Sequence, residues 1–168
     1  MNETKRARKL ILTLLLIVPL TGLVGALPFF KIPAHPIDFS HRVHAGENEI
    51  DCEYCHHGAR RSSRAVIPSV ERCMGCHNVI ATDKADIIKL KSYYDKGESI
   101  AWVRFFDLPD FTFFRHHPHI KKGFACQECH GEVQEKDRFR EAPFLEMGWC
   151  LECHIENGAS KECLTCHR

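Results

Sequence analysis

Hydrophobic and polar positions divide the chain into unlike stretches. From Leu10 to Phe30 there is no charged residue, a length close to the roughly 20 apolar residues that a helix needs to cross a bilayer. Between Asp83 and Lys96, Ile87, Leu90 and Tyr94 recur at helical spacing and Gly97 supplies a stop, which predicts one amphipathic helix. An aromatic stretch follows, with Trp102, Phe105, Phe106, Phe111, Phe113 and Phe114 close together. The rest predicts a mostly irregular chain with short α-helices and loops.

Lys5, Arg6, Arg8 and Lys9 crowd before the apolar run, and positive residues there place an N-terminus in the cytoplasm. The expected layout is a basic cytoplasmic segment 1–9, a single transmembrane anchor 10–30, and a domain 31–168 on the periplasmic side of the inner membrane. A cleaved signal peptide is the other reading, since Val24, Gly25 and Ala26 are small enough for a peptidase and Pro19 and Gly22 weaken a helix. The apolar run, however, continues through Leu27, Phe29 and Phe30. Both readings export the domain.

The chain has ten cysteines, all in five C-x-x-C-H units: Cys52-Cys55-His56, Cys73-Cys76-His77, Cys126-Cys129-His130, Cys150-Cys153-His154 and Cys163-Cys166-His167. This spelling is the attachment signature of c-type haem, the thiols bonding the porphyrin edge and the histidine binding the iron. Zinc knuckles or a disulfide scaffold would also use paired cysteines. Neither requires a histidine after every second cysteine, and no thiol is left over. Five covalent haems c are therefore expected. Beyond Phe30, 138 residues would have to house them, fewer than 30 for each, too little chain for a thick core of side chains. The porphyrins themselves would stack as the core. Lys and Arg total 23 against 22 Asp and Glu, a balance that gives no sign of nucleic-acid binding.

Seven histidines lie outside the motifs: His35, His41, His44, His57, His116, His117 and His119. An F-x-H-x-x-H segment, Phe39 to His44, precedes the first motif, and a second, Phe114 to His119, precedes the third. The chain thus reads as two related halves, about 39–77 and 114–168, joined by an aromatic-rich linker 78–113. His41, His44, His57, His116 and His119 make five candidate distal ligands for five irons, without help from His35 or His117. Histidines three apart on a helix reach separate neighbours, so each pair would clasp two haems. Met147, just ahead of the fourth motif, competes for one iron as a thioether that would raise its potential, or it only fills a gap. Met74, inside the second motif, reads as packing.

F-x-H-x-x-H followed by C-x-x-C-H-H resembles the opening of the class III multihaem cytochromes c. The resemblance implies His41 on the first haem, His57 on the second and His44 on a later one. Further motifs widen it: the N-terminal anchor, C-M-x-C-H at the second motif, W-V-R, L-P-D-F, the second F-x-H-x-x-H, M-G-W-C-L-x-C-H and a terminal C-H-R. Together these resemble the pentahaem cytochrome subunit of alternative complex III and the multihaem subunit of the related quinone reductase complex. The gap between the last two motifs, Ile155 to Glu162, is shorter than expected for the first of these.

That resemblance implies an electron-transfer subunit with no bond chemistry of its own. Its partners would be an extracytoplasmic iron–sulfur subunit related to molybdoenzymes, a polytopic quinone-binding membrane subunit and soluble periplasmic cytochromes c. A free-standing anchored cytochrome, shuttling electrons from a quinol dehydrogenase to terminal reductases, would share the same haem chemistry. A multihaem enzyme reducing nitrite or a similar oxyanion would need an open iron, which five distal candidates for five irons oppose. The aromatic stretch either pads haem faces or docks a partner subunit.

Overall fold

Residues three apart on a helix share one face, and each C-x-x-C unit takes that form. In the computed structural model, which describes residues 34–106, 108–138 and 145–167, the α-helices are α1 (Cys52–Cys55), α2 (Val70–His77), α3 (Ala85–Lys96), α4 (His116–Lys122), α5 (Cys126–His130), α6 (Met147–Glu156) and α7 (Cys163–Cys166). A π-helical turn, Arg42–Glu47, and a 3-10 turn, Val133–Glu135, complete the elements. Among the described residues the only β pairing is an isolated antiparallel bridge between Thr112 and His167. The backbone is thus mostly irregular with short helices, as expected. The basic segment 1–9 and the anchor 10–30 lie outside the described residues. Among those described, no helix is long and apolar enough to cross a membrane.

Helices of four to twelve residues are too short to hold by propensity alone, so they depend on caps and packing. Asp51 accepts a hydrogen bond from Glu53 N at 2.7 Å to start α1, and Glu128 Oε1 reaches back to Ala125 N at 2.6 Å at the start of α5. The amphipathic helix appears as α3 and ends at Gly97. It packs on α2 through Ile37, Val70, Met74 and Leu90, with Ile87, Tyr93, Ile100 and Trp102 against them. Met74, at 2% exposure the most enclosed of these side chains, is the packing residue that its position in the second motif suggests. Tyr93 takes the place expected of Tyr94, which is 42% exposed. The chain turns back at Gly97 and brings Ile100 and Trp102 to the Tyr93 side.

Apart from this cluster only Ala59 is a buried hydrophobic residue among those described. So thin a protein core cannot by itself offset the entropy of ordering the chain.

The two halves brace each other crosswise. The π-helical turn leans on the segment after the third motif: Arg42 N donates to Lys136 O at 3.0 Å, and the Arg42 guanidinium grips both oxygens of Asp137 at 2.8 and 2.9 Å. Ser40 Oγ donates to the same carboxylate at 2.9 Å, and Arg138 pairs with Asp38. Gly46 is required here, because a Cβ would stand 2.5 Å from Gln134 O. In return, α4 leans on the loop after the first motif, where His116 N donates to Ser63 O at 3.2 Å. Phe113 N donates to Cys166 O at 2.7 Å and ties the fifth motif to the same region.

Candidate haem-ligating site

The two F-x-H-x-x-H segments build the same object twice. In the first, the Phe39 ring meets His41 edge-on at 4.9 Å and lies over His44 at 4.4 Å. In the second, Phe114 meets His116 edge-on at 4.7 Å and lies over His119 at 4.8 Å. The later histidine of each pair donates from Nδ1 to the carbonyl four residues back, His44 to Ser40 O at 2.8 Å and His119 to Arg115 O at 2.7 Å. The helices differ, π in one and α in the other. Pro118 is tolerated in the first turn of α4, where its missing N–H has no partner to lose.

Carbonyls can only accept, so these bonds fix the tautomer: Nδ1 carries the proton and Nε2 keeps its lone pair for a metal. The same holds at His56 to Val66 O (2.7 Å), His77 to Ile80 O (3.1 Å), His116 to Ser63 O (3.0 Å) and His154 to Ser160 O (2.6 Å). Metal-binding histidines typically show this outer hydrogen bond, which orients the ring and strengthens it as a donor. His35 is opposite. Its Nδ1 accepts from Val103 N–H at 3.2 Å, so when neutral it is protonated on Nε2, and it sits edge-on to Trp102 and Phe105 at 5.2 and 5.1 Å. His35 is a packing residue.

Three pairs of rings stand close together: His44 and His77 at 6.0 Å between centres and 65° between planes, His116 and His130 at 6.2 Å and 7°, and His119 and His154 at 6.1 Å and 41°. Two imidazoles bonded to one metal at about 2 Å each, with roughly 1 Å more from nitrogen to ring centre on either side, stand about 6 Å apart. The residues present therefore fit an iron between each pair. A fourth association joins His41 to His56: burial pushes the His41 pKa down to about 4, with His56, His44 and His35 adding to it. Burial also lowers His130, with His116 and then His56 beside it. Each F-x-H-x-x-H segment thus sets one ring beside each of the two motifs that follow it. The ring facing His77 is His44, where the resemblance expects His57.

His57 is exposed, and the ring beside His167 is Phe111, at 5.8 Å. Met147 opens α6 and is 60% exposed. His117, set aside in the sequence, has a buried Nδ1 without a hydrogen-bond partner; its place inside the second F-x-H-x-x-H was the only signal for it. Of the aromatic stretch, Phe106 meets His130 edge-on at 4.7 Å, while Phe111 and Phe113 are 58% and 46% exposed.

No two of the ten cysteines are joined in a disulfide. As thiols, Cys55, Cys73, Cys126, Cys129 and Cys150 are pushed up by burial. Their neighbours trace the order of the motifs in space. Cys55 lies near Cys76, Cys126 near Cys52, Cys129 near Cys153, and Cys150 near Cys166. That order is second, first, third, fourth, fifth. Among the described residues no group of three or more His, Cys, Asp or Glu side chains converges to hold a metal by protein atoms alone.

Residues 112–168 match the model for cytochrome c7 and related cytochromes c, and residues 29–100 match the class III cytochrome c family. The chain is a multihaem cytochrome c. It is also similar to the menaquinone reductase, multihaem cytochrome c subunit, of Nitratidesulfovibrio vulgaris, 27% identical over 186 aligned positions that cover 88% of this chain and 87% of that protein. As a cytochrome c it carries covalently bound c-type haem and transfers electrons. Bound haem supplies a one-electron carrier whose potential follows axial ligand, burial and hydrogen bonding. The chain's own part is to hold imidazole rings in one tautomer, back them with Phe39 and Phe114, and keep the paired rings at nearly one separation, 6.0–6.2 Å, whatever their mutual angle.

Proposed function

We propose that this cytochrome carries five haems c and acts as the electron conduit of a quinone-coupled membrane complex. It passes electrons between an iron–sulfur subunit, with its polytopic quinone-binding partner, and soluble periplasmic cytochromes c. An uncleaved helix 10–30 anchors it in the inner membrane, with the haems on the periplasmic side. The observation that carries the reading is the set of three imidazole pairs 6.0–6.2 Å apart. Irons held between two imidazoles have no open site for a substrate and so favour electron transfer over bond chemistry. The likeness to a menaquinone reductase subunit across most of both chains supports the partner class. The fifth haem, on Cys163, Cys166 and His167, takes its second ligand from His57 or Met147.

The test is purification of the tagged protein from its native membranes in mild detergent, with haem quantified per chain and companions identified by mass spectrometry. Five haems and fixed proportions of an iron–sulfur and a polytopic subunit are expected. Isolation of the intact pentahaem protein alone would refute the complex and leave the free-standing shuttle.

A further inference from the structure

The loop 58–66, which follows the first motif, is built more tightly than a connector needs. Ser62 N donates to Gly58 O at 2.8 Å, and Gly58 N to Ala65 O at 3.2 Å. The Ser62 hydroxyl lies 3.0 Å from Gly58 O and 2.5 Å from Arg64 O, and it accepts from Arg64 N at 3.2 Å. A Cβ on Gly58 would stand 2.5 Å from Arg64 O. The loop ends on Val66 with φ +61°, the left-handed region that a β-branched residue rarely enters. Val66 is 41% exposed, so side-chain burial does not explain the strain.

The carbonyls this loop presents do explain it. Val66 O accepts Nδ1–H of His56, the proximal histidine of the first motif, at 2.7 Å. Ser63 O accepts both N–H and Nδ1–H of His116, the ring facing His130 of the third motif, at 3.2 and 3.0 Å. One hydroxyl-stapled loop thus holds an imidazole at each of two different centres. These are the two centres at which the halves meet, Cys126 standing near Cys52 and His130 near His56. Strain that persists at such a position is retained by what it orients.

We propose that Ser62 is a positioning residue for two haems at once: through the Val66 and Ser63 carbonyls it sets the hydrogen bonding of one axial histidine on each, and so their potentials together. The proposal rests on the reading of His56 and His116 as iron ligands. A carbonyl accepting from Nδ1–H makes the imidazole a stronger donor and favours ferric iron. Loosening the loop therefore raises both potentials in step. The driving force between the two central haems is kept while both move relative to the second and fourth.

The experiment is a spectroelectrochemical titration of the full-length holoprotein, with EPR of the low-spin ferric signals, for Ser62→Ala, Ser62→Thr, Val66→Gly and His116→Ala. In Ser62→Ala two potentials rise together, each by a threefold change in the oxidised-to-reduced ratio, about 30 mV at 59 mV per tenfold for one electron. Two of the low-spin signals shift, and Ser62→Thr, which keeps the hydroxyl, restores both. Movement of one haem or none in Ser62→Ala, or no rescue by threonine, overturns the proposal. Should Ser62→Ala fail to mature, Val66→Gly decides. It relaxes the backbone at the His56 acceptor, leaves Ser63 in place and shifts the first-motif haem alone; no shift overturns the proposal. His116→Ala separates the two levels: a new high-spin signal upholds His116 as a ligand, whereas an unchanged spectrum removes the ligand reading and the proposal with it.

Discussion

Replacing His44 by alanine tests the pairing of imidazoles most directly. The His44 and His77 rings stand 6.0 Å apart, the separation that two imidazoles on one metal require. His44 Nδ1 is committed to Ser40 O at 2.8 Å, so Nε2 is the free nitrogen. With the pairing proposed, removing the ring would open one coordination position on the iron of the second motif and on no other. His41, on the neighbouring turn, keeps its place near His56. With one haem per motif and five motifs, one-fifth of the haem should become high-spin and bind carbon monoxide after reduction. His119→Ala should do the same at the fourth motif, and the double variant should reach two-fifths. The assay is carbon monoxide titration of the dithionite-reduced protein, followed in the Soret band and normalised to total haem. An His44→Ala protein that matures with all its haem and binds no carbon monoxide would refute the pairing. Binding in His57→Ala but not in His44→Ala would return the second iron to the assignment implied by the class III resemblance.

Further expectations concern stability. Met74→Ala empties the centre of the α2–α3 cluster, where Met74 is 2% exposed, and should cost about 2–5 kcal/mol in denaturant unfolding. Gly46→Ala forces a Cβ to within 2.5 Å of Gln134 O and should cost about 1–3 kcal/mol, shifting the second-motif haem signal as the π-helical turn moves; an unchanged midpoint would show that the two halves are not braced there. Burial lowers the pKa of His35 below its ordinary 6.5, so the unfolded chain takes up a proton first as pH falls. Stability associated with His35 is therefore full above about pH 6.5 and declines below it, and the difference between wild type and His35→Phe in unfolding midpoint should narrow or reverse on going from pH 7.5 to 5.5. Asp137 is held below the usual carboxylate range by hydrogen bonds from Arg42 and then Ser40. Its contribution is present above the ordinary aspartate pKa and lost as pH drops through the depressed one, so Asp137→Asn should matter at pH 7 and cease to matter in strong acid.

The chemistry was legible in the sequence because it is local. C-x-x-C-H puts two thiols on one helical turn with an imidazole directly after them whatever surrounds it, and the five units alone imply haem. F-x-H-x-x-H is equally local: the phenylalanine backs both histidines, and the later ring bonds the carbonyl four residues behind it, in both copies. α3 and its end at Gly97 followed from spacing and a stop signal. The rest depended on what lies far apart in the chain. That His44 meets His77, that Tyr93 rather than Tyr94 turns inward, and that Phe111 stands beside His167 are consequences of how the halves fold on each other.

His35 shows the division within one residue type. In sequence it is one of seven spare histidines; in the fold a backbone N–H from Val103, 68 residues away, occupies its Nδ1 and sets the opposite tautomer from His44, His56, His77, His116, His119 and His154. The crosswise bracing, Arg42 on Asp137 and α4 on Ser63, had no sequence signal, since it joins backbone groups and exposed side chains about a hundred and about fifty residues apart. The sequence by itself determined which groups can bind haem, because that depends on covalent spacing over a few residues. Only the tertiary structure decided which imidazoles face one another and in what order the motifs stand, because those are set by long-range hydrogen bonds and close packing.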